Sequence, residues 1–374
     1  MKALRVCMLM AALVLPPLVA GAATSDDRHG KTLSWRYTVR PGDTLINIAA
    51  RYLAHVGQWP EIQRDNAIDD SSRLVPGTVL RIPVAMLRRA PADVVLENVS
   101  GDVRWRLPGA DWQMAGRGQR LPAGSRLETL AGASVLLRLA DGGTVRLSAN
   151  SSLEFDTLGA YAGGLMVDTR LRLQQGQAEI FANPDRGGGR YLRIYTPSAQ
   201  AAVRGTQFRI GVDGGVTWQE TLSGQVAVSA AGRRVSVPAG QGTVARRGEP
   251  PLRPVTLPPA PETSGFPTHF GHSPVRFPLP ALGAAKAWLG EVVLNESFDR
   301  VLFSERSDGE WLTFPDLPTG GYVLRLRGVD ANGLQGRVST HRFVVALLPA
   351  SPSVVSQAHA PDGGHCCYRR FPKG

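Results

Sequence analysis

Chemistry needs a base held by a folded scaffold, and histidine is the first place to look for one. Of the seven histidines, only His55 and His341 fall in stretches patterned to fold; the rest lie in expected linkers and tails. That distribution removes most Ser–His and Cys–His arrangements. The chain has no GxSxG elbow, no HExxH and no GxxxxGK[ST]. Gly187-Gly188-Gly189 lacks the strand-to-helix context and the lysine of a phosphate loop. Glu154 and Asp156, or Glu179, have the right chemistry for an acid–base pair, but their spacing puts them on exposed strand faces. The run His365 to Arg370, HCCYRR, holds metal-type ligands without a second ligand cluster. The expectation is a non-enzyme without metal or cofactor.

The remaining cysteines point the same way. Cys7 sits in an expected export signal. Lys2 and Arg5 precede the apolar run Val6 to Leu15, Pro16-Pro17 breaks it, and Ala20-Gly21-Ala22 offers small residues for cleavage. Cys366 and Cys367 are adjacent, a poor geometry for a mutual disulfide. No later segment is long and apolar enough to span a bilayer. Losing Lys2 and Arg5 takes the net charge from +11 to +9. That balance raises nucleic acid as a partner, but the arginines alternate with apolar residues along strands, which reads as a solvated sheet face. Anionic wall polymers or lipid surfaces suit an exported protein better.

The elements follow from patterning. With 42 glycines and 28 prolines, the expected chain is multidomain and mainly β, its strands joined by many turns. The expected order is a signal (1–22), a mobile segment (23–34), a small module (35–85), a β domain (92–247), a Pro-rich linker (248–274), a second β domain (275–346) and a disordered tail (347–374).

In the small module, Tyr37 to Val39 form a strand and Pro41-Gly42 a turn. Asp43 or Thr44 caps a helix whose apolar face is Leu45, Ile48, Ala49, Tyr52 and Leu53. Pro60 opens a second helix with Trp59 and Ile62 inward, and Leu80 and Ile82 mark a closing strand. The order is β-α-α-β. In the β domain, Leu137, Leu139, Val145 and Leu147 share one face of a hairpin turned by Asp141-Gly142-Gly143, with Arg138 and Arg146 outward. A small repeat recurs as GDVRW at Gly101, GQAEI at Gly176 and GQVAV at Gly224, which suits a β-sandwich or a short β-solenoid. The linker, at ~3.1 Å per residue, would extend to roughly 80 Å and hold the two β domains apart. In the last block Tyr322, Leu324 and Leu326 alternate with Val323, Arg325 and Arg327. A long strand with a tyrosine near its start is typical of immunoglobulin-like sandwiches.

Three resemblances attach to these residues. YTVRPGDTL, the following W..I…N.I and VPGTVLRIP resemble the LysM module over Tyr37 to Pro83. That resemblance implies binding of N-acetylglucosamine-containing glycans, chiefly peptidoglycan. It places the groove between Gly42, Asp43, Thr44 and Leu45 on one side and Asn66, Ala67 and Ile68 on the other, with Leu and Ile against the sugar rings. RIYTPSAQAAVRGTQFRIGVDGG and the following LSGQVAV resemble the FecR-type domain over about Val95 to Val244. This implies an envelope β domain that contacts protein partners, with Gly205 at a tight approach or bulge and Phe208 and Ile210 inward. The last block resembles fibronectin-III or immunoglobulin-like sandwiches. The combined expectation is an exported, periplasmic or envelope-associated wall-binding protein; the alternative is a FecR-like sensor component.

Overall fold

The computed structural model describes residues 34–164, 166–183, 190–203, 205–294 and 301–347. The expected export signal, the Gly187–Gly189 run and the Cys366-Cys367 tail lie outside them. The chain divides into two compact units between Arg88 and Arg89.

The first unit has the expected β-α-α-β order. Strand Ser34–Thr38 pairs antiparallel with Val79–Pro83, Tyr37 opposite Leu80. Helices Leu45–Tyr52 and Trp59–Asp65 lie between them, joined by a short 3-10 turn at Val56–Gln58. Thr44 is the N-cap, its hydroxyl accepting from the Asn47 N–H at 3.2 Å. The helix buries Leu45, Ile48, Ala49 and Tyr52 against Ile62, Leu80 and Ile82. The rings of Trp35, Tyr37 and Tyr52 pack mutually at 5.1–5.5 Å. Trp59, expected inward, is only half-buried.

The second unit begins with the FecR-type body. Its strands form a closed, two-layered sheet system. The layers share one long strand, Met166–Phe181. Its first part pairs with Ser151–Tyr161 and Arg190–Tyr195, and its last six residues with Thr144–Leu147 and Gln207–Asp213. One apolar core fills the space between the layers, with Phe155, Leu171 and Val226 from one and Leu96, Ile180 and Phe208 from the other. All three repeat glycines have positive φ and no room for a Cβ, which at Gly101 would lie 2.9 Å from Ala133 Cα. Gly176 has φ +85°, and a Cβ there would lie 2.0 Å from Ser151 Oγ; Gly224 has φ +73° with Thr206 Cγ2 2.6 Å away. Gly176 lies inside the shared strand, where its pairing passes from one layer to the other, and Gly224 immediately precedes the strand Gln225–Ala230.

The third region is a seven-stranded sandwich among the described residues. A five-stranded sheet runs in the order His269–Phe270, Ser339–Val345, Gly320–Val329, Ala287–Val293, Val301–Ser307, and a pair Val275–Pro278 with Trp311–Phe314 covers it. Phe277, Phe314, Leu324 and Phe343 form its core. The Tyr322 hydroxyl donates to the Pro318 carbonyl at 2.9 Å, the tyrosine-corner contact typical of such sandwiches.

The Pro-rich stretch is not the expected extended spacer. Val255–Thr256 pairs with Gln241–Gly242 as a further strand of the FecR-type body, and the Leu257 N–H donates to the Gly240 carbonyl. Beyond it, the stretch serves the sandwich. Pro258 O accepts from the Arg337 N–H at 3.2 Å, Pro261 O from Ser339 Oγ at 2.5 Å and Pro267 O from His341 Nε2 at 2.9 Å. His269–Phe270, expected in the linker, is already a strand of the sandwich. Prolines donate no N–H, but their carbonyls remain acceptors, so the segment works as a strap on both sides.

Candidate functional site

The residues expected to bind glycan lie on two loops of the first unit. Tyr37 OH donates to Asp43 Oδ2 at 2.5 Å and the Arg40 N–H to the same oxygen at 2.8 Å, so Asp43 clasps its own turn. Burial, together with that hydrogen bond, pushes the Tyr37 phenol well above its usual range. On the other loop, Asn66 is clamped: its Nδ2 donates to Ile62 O at 2.8 Å and Arg81 O at 3.0 Å, and its Oδ1 accepts from the Arg81 N–H at 2.6 Å. It holds the end of the second helix to the closing strand. Asp70 caps the following turn through the Ser72 N–H and hydroxyl, which hold its carboxyl below its usual value. The two loops meet where the Leu45 N–H donates to Ser71 O at 3.0 Å.

One residue expected to contact a sugar ring is not available for it. Leu45 is fully buried, so its side chain belongs to the core and cannot lie against a sugar. A residue on the buried helical face is unavailable on the other side, and the same i, i+3, i+4 spacing that named Leu45 a core position excluded it. Ile46, 49% exposed, is the apolar side chain that this corner offers to solvent. Gly42, with φ +82°, and Ala67, with φ +50°, are exposed and Ile68 is half-buried. Asp43 and Asn66 thus brace the two loops and Leu45 belongs to the core, while Gly42 and Ala67 are exposed and Thr44 and Ile68 half-buried.

In the FecR-type body, Phe208 and Ile210 point inward as expected. Gly205 has φ +59°, and the pairing slips between Gln207 and Phe208. The TPSA turn links the layers, with Thr196 and Ser198 hydroxyls 2.7 and 2.6 Å from Thr217 Oγ1.

The outer face of one layer carries a charged ladder. Arg104 binds Glu128 at 2.8 Å, Arg126 bridges Glu128 and Glu154 at 3.1 and 3.6 Å, and Arg172 reaches Asp156 at 2.7 Å. Trp112 lies under the guanidinium groups of Arg104 and Arg106, each 4.5 Å from its ring. Glu154 and Asp156 therefore face arginines.

The other layer overturns the expectation of a solvated arginine face. Arg209 is 2% exposed and Glu220 fully buried. Arg209 Nε lies 2.7 Å from Glu220 Oε2, and its Nη2 donates to the carbonyls of Gln335 and Gly336 at 2.7 and 2.8 Å. The Gln335 N–H closes the ring on Glu220 Oε1. Beside it runs a chain of charges. Arg146 and Arg325 both lie 3.9 Å from Glu179, Arg325 lies 3.5 Å from Glu291, and Arg327 binds the same Glu291. Burial pushes Glu220 up to about 7, against the pull of Arg209; burial likewise lowers Arg325 to about 10. Val244 and Leu257 meet Leu334 in an apolar patch alongside. The sandwich and the FecR-type body share a mixed seam that neither could make alone. Among the described residues no cluster of metal-ligating side chains occurs, and no helix is long and apolar enough to cross a membrane.

Residues 37–83 match the LysM domain and residues 125–227 match the family described as FecR protein. Both are binding or signalling domains. No curated protein matches the chain. Among solved structures, a candidate anti-sigma factor from Parabacteroides distasonis aligns over 35% of this chain and 59% of its own, at 15% identity and a TM-score of 0.29. The extracellular domain of a candidate one-component system from B. thetaiotaomicron aligns over 75% of this chain and 61% of its own, at 9% identity and a TM-score of 0.17. The chain spans less than two thirds of either.

Proposed function

We propose that this is a non-catalytic, exported envelope protein that binds N-acetylglucosamine-containing glycan, chiefly peptidoglycan, through its LysM module and presents the FecR-type body to a protein partner. The observation that carries the reading is the LysM match over residues 37–83, with both groove loops braced by the Leu45–Ser71 hydrogen bond. Backbone groups beside Gly42, Thr44, Ala67 and Ile68 suit sugar amides, and Ile46 supplies an apolar contact.

Sedimentation with purified peptidoglycan tests it. Deleting Tyr37 to Pro83 is expected to abolish retention after a high-salt wash, and Ile46→Ser to weaken it several-fold with an unchanged melting temperature. Retention of the deletion variant would remove the LysM module as the anchor. Zymography against cell walls is expected to give no clearing zone.

A second reading, a FecR-like envelope sensor, is favoured by the FecR match over residues 125–227. The wall-anchored reading expects a mature chain beginning near Ala23. N-terminal sequencing that recovers Met1 from the envelope fraction would favour the sensor.

A further inference from the structure

The charged ladder on the outer face of the FecR-type body borders a cleft of ≈ 670 Å³, lined among others by Arg106, Leu107, Pro108, Arg126, Glu154 and Arg172. The strand register sets its charges in one row. Arg106 lies opposite Arg126, Arg126 opposite Glu154, and Glu154 opposite Arg172. Across four strands at ~4.8 Å spacing, that row is about 14 Å long.

Arg106 stands apart from the other arginines here. Arg104 binds Glu128, Arg126 binds Glu128 and Glu154, and Arg172 binds Asp156. The Arg106 guanidinium meets no carboxylate among the described residues and is held against the Trp112 ring, 4.5 Å from its centre. Its partner across the strands is a second cation, and like charges directly opposite one another are unfavourable. A guanidinium offers a planar fork of N–H groups that matches a carboxylate in two parallel bonds. Stacking on Trp112 orients that fork beside the cleft. The neighbouring surface is apolar in places: Leu107 is 38% exposed, and Met114, opposite Arg104 in the register, is 67% exposed. Arginine, aromatic residues and methionine are the types enriched at protein interfaces, and tryptophan and arginine carry much of their binding energy.

We propose that this face docks an acidic segment of a partner protein, with one Asp or Glu carboxylate forked on Arg106 and an adjoining apolar side chain against Leu107 and Pro108. Placed between Arg106 and Arg126, the carboxylate makes the row alternate in sign from end to end. The inference rests on the reading that the FecR-type body meets a protein partner, and it names the face and the partner's chemistry.

Photo-cross-linking of the full chain in the cells that make it tests the proposal, with a benzophenone side chain at position 107 and the captured segment read by mass spectrometry. The expected adduct is a protein segment with Asp or Glu within a few residues of the cross-link. Arg106→Glu is expected to lower its yield tenfold or more. Arg233→Glu, at an exposed position remote in the strand order of the same layer, is expected to leave the yield unchanged. Neither variant is expected to shift the melting temperature. A glycan adduct, a captured segment without acidic residues, or equal yields from wild type and Arg106→Glu overturns the proposal. A cross-linker at the exposed position 234 separates this failure from that of the broader reading. Adducts from position 234 alone keep a protein partner but move it off this face, whereas adducts from neither position overturn the proposal and count against any protein partner of the body.

Discussion

The two charged faces of the second unit start from the same sequence pattern and end in opposite environments. On Val103–Arg106, Arg126–Thr129 and Met166–Phe181, arginines alternate with core residues and pair with carboxylates in water; Arg104, Arg126 and Arg172 keep 36–44% of their side chains exposed. On Gln207–Asp213 and Gly320–Val329 the same alternation places Arg209, Arg325 and Arg327 under another domain, with 2–7% exposed. Alternation states which residues share a face. It does not state what covers that face. Exposed pairs typically contribute about 0–1 kcal/mol, whereas a buried pair that loses one partner leaves a charge with neither water nor counter-ion.

The largest expected effect comes from breaking the buried pair. Arg209→Ala leaves Glu220 and the carbonyls of Gln335 and Gly336 unpaired, at an expected ~3–5 kcal/mol in chemical denaturation. The double variant Arg209→Met, Glu220→Leu removes both charges and should recover most of that loss. Equal losses in the single and double variants would mean that packing, not pairing, sets the cost.

A smaller effect is expected from pH. Glu220 sits among Arg209, Arg327 and Asp330, and burial lifts its carboxyl from 4.5 to about 7. Between those values the folded chain holds a proton that the unfolded chain releases, so Glu220 makes stability fall as pH rises through the window. Melting temperatures of wild type and Glu220→Gln should diverge most between pH 5 and pH 7, with the variant flatter. Parallel curves would place the titration elsewhere.

The smallest effect belongs to the exposed ladder. Arg104→Ala should cost no more than ~1 kcal/mol, and the difference from wild type should shrink in high salt. A loss matching that of Arg209→Ala would erase the distinction between the two faces.

Local features were legible in the sequence because local chemistry decides them. A cap at Asp43 or Thr44, the helix face from Leu45 to Leu53 and Pro60 at the head of the second helix follow from local chemistry and spacing, and the inward Phe208 and Ile210 from the FecR-type resemblance. The tyrosine at the start of Gly320–Val329 announced its corner. What was not legible depends on distant partners. Arg209 meets Gln335 across 126 residues and Glu220 meets it across 115, and no periodicity records such a pairing. The strap was missed for a related reason: proline composition describes the isolated chain, while the acceptors of Pro258, Pro261 and Pro267 are claimed by donors from another part of it. In the groove, Asp43 and Asn66 were recognised as candidates, but their roles as clasp and clamp rest on Tyr37 OH and the Arg81 backbone.

The shared strand Met166–Phe181 has a consequence for the way the FecR-type body assembles and opens. Its residues supply rungs to both layers, so neither layer can complete its hydrogen-bond ladder while the other is undone. Hairpins such as Ser134–Arg138 with Thr144–Leu147 can form early from neighbours in the chain, but closing the layers waits for pairings between residues far apart, a slow and cooperative step. Amide hydrogens along Met166–Phe181 should then exchange with solvent only when the whole body opens, at one common and slow rate from end to end.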